Sequence, residues 1–250
     1  MLQETFSTGT SPIHRLDPRS RIIMATLYAF LVALSNRFPA LLAACVFSFV
    51  LVGVSRLSVM EVLKRIAVVN GFVLFFWLVV PVTYPGESLF SLGPLTVSRE
   101  GVLVSARITL KSNAILLAFI ALIATSSVAT LGAALGRLRV PKKIVYLLLL
   151  NYRYIFVMEE EYHRLVRSAT VRGFQPSTTL HTYRTMAYLV GMLFVRASER
   201  AERVYMAMVC RGFSGKFYSL KEFSFSGRDW IWLFSMTAVL LVLGGLEWVN

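Results

Sequence analysis

Apolar residues run along this chain in long unbroken stretches, with polar punctuation between them. Five such runs stand out, at Ile22–Leu34, Ala40–Val54, Ile66–Val82, Ile108–Ala124 and Trp230–Leu246. Three of them are long enough for a helix to cross a bilayer core of about 30 Å at 1.5 Å per residue. The first two are shorter and need flanking residues such as Ser35, Asn36 and Ser55 to reach across. Arg37 and Pro39 mark a tight turn between them, so the pair predicts a helical hairpin. The pattern predicts an all-α membrane protein with about five transmembrane helices. Residues 1–136 would hold the first four spans after a short N-terminal segment, and 230–250 the last.

Between these lies a segment of different character, residues 137–229. Its apolar pieces, "IVYLLLLNYRYIFVM" and "MAYLVGMLFV", are short or interrupted by Arg153. They suit helices lying at the interface or packed under the spans rather than facing lipid. Two further stretches, "EEEYHRLVRSATVRGF" and "ASERAERVYMAMVCRGF", read as helices of good formers without proline. Each stops at a glycine, where a left-handed cap is cheap, with arginine in the last turn favoured by the helix dipole. Ala169 offers a small surface one turn before Arg172.

Charge sets the expected orientation. The 250 residues carry a net charge of +13 at a mean hydropathy of +0.66. Such long apolar runs make a cytoplasmic membrane face, not nucleic acid, the partner for the basic excess. Arg15, Arg19 and Arg21 precede the first run, and Arg56, Lys64 and Arg65 follow the second. The Gly/Pro-rich stretch 83–101 holds only Arg99, whereas 137–229 holds sixteen Lys and Arg against seven Asp and Glu. The N-terminus and 137–229 are therefore expected in the cytoplasm, and the 83–101 loop and the C-terminus outside. The N-terminus lacks a basic n-region, so no cleaved signal peptide is expected.

Catalytic and metal signals are sparse. "GFSGKF" at 212–217 has Phe217 where a P-loop needs Ser or Thr, so ATP binding by that motif is not expected. His14, His163 and His181 are scattered, Cys45 and Cys210 lie far apart, and no metal-ligand spacing appears. Asp17 and Asp229 both sit at span edges, and no apolar run holds a carboxylate apart from Glu247 just past the last one. Arg107 and Lys111, four apart at the outer end of the fourth run, either snorkel or pair with another subunit. "GAALG" at 132–136 is a close-packing pattern placed at the inner end of that run.

"RGF" occurs twice, at 172–174 and 211–213, 39 residues apart. The same offset matches Glu160 with Glu199 and Arg164 with Arg203. A repeated tripeptide is weak by itself. Here both copies end expected helices on one side of the membrane, in a chain with no ATP site of its own.

Three stretches together carry a family resemblance. "SPIHRLDPRSR", with Leu16, Asp17 and Pro18, precedes the first span. "LRVPKKIVYLLLLNYRYIFVMEEEYHRLVRSATVRGF" runs into the first Arg-Gly, and "MVCRGF" closes the second. The chain resembles, over nearly its full length, the transmembrane (T) subunit of energy-coupling factor transporters, most closely the cobalt type. That resemblance implies a non-catalytic subunit of an importer in the bacterial inner membrane. Its implied partners are two cytoplasmic ABC ATPase subunits that bind ATP and magnesium, a membrane substrate-binding subunit and, in metal-type systems, a small accessory membrane protein. No cofactor is implied in this chain. The resemblance also implies that Ala169, Arg172 and Gly173, with Arg211 and Gly212, dock into the ATPases; Arg153 and the pairs matched by the repeat, Glu160 with Glu199 and Arg164 with Arg203, are expected as supporting residues. One departure is that Met208 stands where the family has a small residue, with Ala207 one place earlier. A nickel or vitamin system is an alternative. So, from another class, is a membrane enzyme acting on lipid-type substrates, which would need paired acids near the interface.

Overall fold

The computed structural model describes residues 11, 13, 16–92, 95–138, 140–215 and 225–248. Eight helices account for most of it. They are α1 (Pro18–Leu34), α2 (Phe38–Ser55), α3 (Val59–Thr83), α4 (Arg99–Leu122), α5 (Val128–Arg137), α6 (Lys142–Val171), α7 (Leu180–Cys210) and α8 (Gly227–Trp248). A small antiparallel hairpin, β1 (Ser88–Leu92) and β2 (Leu95–Ser98), lies between α3 and α4. The described residues divide into two compact units. One runs to Ala134 and resumes with α8; the other begins at Leu135 and carries α6 and α7.

In the first unit, α2, α3, α4 and α8 are long and apolar enough to cross a membrane. α1 has 17 residues and packs with them. The short apolar runs are extended only partly by the expected flanks: α1 recruits Pro18–Arg21 at its start rather than Ser35 and Asn36, while α2 takes in Ser55 together with Phe38 and Pro39, so Pro39 belongs to the helix and not to the turn. Asp17 caps α1 by accepting from the Arg19 N–H at 2.9 Å, with Pro18 pre-set at the first helical position. The first two helices turn over only Ser35, Asn36 and Arg37.

Side-chain hydrogen bonds fix the relative direction of these five helices. Ser48 Oγ donates to the Ala114 carbonyl at 2.8 Å and Ser55 Oγ to the Ala121 carbonyl at 3.4 Å. Both pairs are 66 residues apart, so α2 and α4 run parallel. Arg21 reaches Thr125 and Lys111 reaches the Ala33 carbonyl, so α1 and α4 are antiparallel. Asn113 donates to Asn70 and Trp77 to Thr109, so α3 and α4 are antiparallel too. Asp229 meets Asp17 at one end of α8 and Glu247 meets Ser35 at the other, so α8 runs parallel to α1. The directions alternate along the chain through α1, α2, α3, α4 and α8, as five successive crossings require.

Packing follows from small residues. Ala25, Ala44, Ala114, Ala118 and Ala121 are all buried where α1, α2 and α4 meet. In a lipid setting, close backbone approach and interhelical hydrogen bonds do the work that hydrophobic burial does in water. Tyr28 supplies one such tie, donating to the Ala44 carbonyl at 2.8 Å and meeting Ser48 Oγ at 2.7 Å. Meanwhile Phe30, Leu34, Phe72, Leu78, Phe234 and Leu241 lie exposed, as lipid-facing side chains do. The α3–α4 corner closes on Gly101, where an added Cβ would stand 2.7 Å from Pro81 Cα.

Two expectations are corrected. Gly132–Gly136 does not end the fourth span. α4 stops at Leu122, and Ser127 Oγ accepts from the Thr130 N–H at 3.2 Å to start the separate helix α5. The apolar and charged pieces of 137–229 are not separate short helices but two continuous ones, of 30 and 31 residues. No proline interrupts either, so each piece extends the next.

Candidate coupling site

α6 and α7 end in the same way. Arg172 is the C-cap of α6, followed by Gly173 at φ +88°. The Phe174 N–H donates to the Ala169 carbonyl at 3.1 Å and the Gly173 N–H to the Thr170 carbonyl at 3.0 Å. Arg211 is the C-cap of α7, followed by Gly212 at φ +78°. The Phe213 N–H donates to the Met208 carbonyl at 3.0 Å and the Gly212 N–H to the Val209 carbonyl at 2.9 Å. Both are Schellman motifs, in which glycine takes the left-handed position. Nothing lies within 4 Å of a Cβ built on either glycine, so backbone conformation alone demands them. The repeated "RGF" is thus a duplicated structural unit: cap, left-handed turn, half-buried phenylalanine.

Both arginine side chains are exposed. Neither guanidinium has a hydrogen bond or ion pair among the described residues. Val171, beside the first, is 89% exposed. Ala169 is half-buried one turn back, and Met208 occupies the corresponding place in α7. A guanidinium with five donors in a rigid fork, held at a fixed helix end, is equipped to grip carbonyls or carboxylates of another protein.

The supporting residues divide. Arg203 pairs with Glu199 at 3.9 Å on the exposed face of α7. Arg164 pairs with Glu161 at 3.5 Å. Glu160 and Arg153 are exposed and join none of the ion pairs described here. Glu161 is not singled out by the sequence pattern. It is buried between α6 and α7, where Arg196 donates to Oε1 and the Arg200 Nη2 lies 4.0 Å from Oε2. The Arg196 hydrogen bond, helped by the charges of Arg164, Arg196 and Arg200, holds its carboxyl below the usual carboxylate range. One clue was available: applying the 39-residue offset to Glu161 lands on Arg200, a charge reversal at matched positions.

The N-terminal motif sits elsewhere, in the spanning unit. Asp17 accepts from the Arg19 N–H, and its own N–H donates to Asp229 Oδ1 at 2.8 Å. Leu16 is half-buried in the turn before it, and Pro18 opens α1. Lys111 is engaged within the chain, whereas the buried Arg107 Nε has no hydrogen-bond partner among the described residues. Lys111 donates to the Ala33 carbonyl at 2.8 Å and to Asn36 Oδ1 at 3.1 Å, capping α1. The Arg107 guanidinium lies 5.2 Å from the Phe38 ring centroid. Among the described residues, no three His, Cys, Asp or Glu side chains gather as metal ligands would.

An alternating bundle of long apolar helices, and a second unit of two long helices with matched arginine caps, define a helical membrane protein. The family described as "Cobalt transport protein" matches residues 9–221, and the chain belongs to it. It is similar to the "Energy-coupling factor transporter transmembrane protein EcfT" of Brevibacillus brevis, at 28% identity over 249 residues, covering 94% of each chain. The proteins of that name in Bacillus subtilis and Acidaminococcus fermentans are each 26% identical. Those matches cover 86% and 96% of this chain, and 85% and 94% of theirs.

Proposed function

We propose that this chain is the coupling subunit of an energy-coupling factor importer for cobalt ions. Two cytoplasmic ATPases grip Arg172 and Arg211, and the long helices α6 and α7 carry their motion toward the membrane. The observation that carries this reading is the pair of identical Schellman endings with exposed, unengaged guanidiniums. Two ATPases that close and open together need two equivalent handles, and these ends provide them. The chain itself performs no hydrolysis; ATP and magnesium are held by the partners. The N-terminus, α6 and α7 face the cytoplasm of a bacterial inner membrane, in keeping with the charge of the loops.

Cobalt is supported by the description of the matching family, and the relatives' names specify no solute. Solute selectivity resides in a separate substrate-binding membrane subunit, with a small accessory subunit alongside. Affinity purification of the tagged chain from its native host, followed by mass spectrometry, tests the assembly. Two ATPase chains and a substrate-binding membrane protein are expected. Purification of the chain without any ATPase would contradict the reading, and a vitamin- or nickel-binding partner would reassign the solute.

A further inference from the structure

The two arginine ends belong to helices that meet at one polar point. Glu161 is 5% exposed, and three guanidiniums converge on it. Arg164 comes from its own helix, Arg196 and Arg200 from α7. Glu161 stands 11 residues before Arg172, and Arg200 stands 11 before Arg211. At 1.5 Å per residue each arm from this point to its arginine is about 16 Å long. With both arms rigid and nearly equal, the separation of the two arginines is governed by the angle at which the helices cross. We propose that Glu161 is the pin of that crossing: a positioning residue that fixes the angle, and so the spacing of the two handles. The proposal rests on reading Arg172 and Arg211 as handles, but its geometric part can be tested without that reading.

Charge makes the pin effective. Without the carboxylate, three positive groups face one another at the contact and push the helices apart. Removing one partner of such a cluster disrupts it more than removing both, since the remaining charges are left uncompensated. Aspartate keeps the charge on a shorter stem and preserves much of the clasp. An ordinary apolar contact would show no such dependence on charge.

The test measures the spacing directly. Spin labels are placed at Val171→Cys and at the native, exposed Cys210, its equivalent 39 residues on, in a Cys45→Ser background. Distances are recorded by pulsed electron paramagnetic resonance in the assembled complex in lipid nanodiscs. Glu161→Gln is expected to broaden the distance distribution and to lower solute uptake per ATP hydrolysed at least several-fold. Glu161→Asp is expected to stay close to wild type. Adding Arg196→Gln to Glu161→Gln is expected to narrow the distribution again, because one repelling charge is gone. An unchanged distribution in Glu161→Gln overturns the proposal. So does a broadening that Arg196→Gln merely worsens. If substitution of Arg172 and Arg211 leaves transport intact, the handle reading fails while these distance results stand by themselves.

Discussion

The backbone N–H of Asp17 donates to Asp229 Oδ1 at 2.8 Å, joining residues 212 positions apart. Asp229 Oδ2 accepts from the Ser226 N–H at 2.8 Å, and Arg21 is buried nearby. The start of α8 is thereby fastened to the start of α1. At the opposite end, Glu247 accepts from Ser35 Oγ at 2.6 Å and from the Asn36 N–H at 2.9 Å. Two carboxylates thus hold α8 parallel to α1 at both ends, although α6 and α7 intervene in sequence.

Asp229→Ala is expected to loosen that attachment. The Asp17 and Ser226 N–H groups lose their acceptor, and hydrogen bonds to a charged group contribute about 1.5–3 kcal/mol each. A clear drop in thermal stability in detergent is expected, with Asp229→Asn milder because one acceptor oxygen remains. Thermal unfolding of the two variants checks this; equal stability of Asp229→Ala and wild type would contradict it.

Topology gives the second prediction. Cysteine introduced at Ser88 should react with a membrane-impermeant reagent from outside, and one at Ser177 only from the cytoplasm. The alternation of helix directions permits this arrangement or its mirror, and loop charge chooses between them. Labelling of both from one side would break the alternation itself.

Much of this fold was legible in the chain because membrane spans are written as long apolar runs. Four of the five runs lie wholly on helices, the fourth in sequence overruns the end of α4 by two residues, and both Arg-Gly endings are caps. Glu161 was hidden for a physical reason. It is one of three consecutive glutamates, 159–161, and which of them faces α7 depends on how two helices meet. Nor could sequence show that Lys111 caps α1, since its acceptor, the Ala33 carbonyl, lies 78 residues away. The break between α4 and α5 falls on the polar residues Thr125, Ser126 and Ser127. It depends on Ser127 starting a new helix rather than on any Gly or Pro.

The glycine caps offer a third prediction. Gly173→Ala forces a side chain into left-handed backbone, at a cost of roughly 1–2 kcal/mol. Gly173→Asn should be much better tolerated, because asparagine visits that region readily and open space surrounds the site. The same order is expected at Gly212. Uptake by the assembled transporter distinguishes them; equal activity of the Ala and Asn variants would show that cap geometry is irrelevant to coupling.

Metal handling supplies the fourth. The purified chain should bind cobalt no more tightly than an unrelated membrane protein, and removing His14, His163 and His181 together should leave uptake largely intact. Equilibrium dialysis with cobalt measures the first. Stoichiometric, tight binding by the isolated chain would place the solute site here rather than in a partner.

The most direct measurement is ATP-driven uptake by the reconstituted complex carrying Arg172→Glu together with Arg211→Glu. Loss of one partner from a desolvated charge-assisted contact costs about 2–5 kcal/mol, so each single Ala change should already weaken ATPase association severely. Lysine should rescue only in part, keeping the charge and losing the fork. With both arginines reversed, the protein should still insert and fold, because both side chains are exposed at helix ends, while ATPase co-purification and uptake nearly vanish. A double variant that assembles, hydrolyses ATP and transports at the wild-type rate would mean that the two endings are helix caps and nothing more.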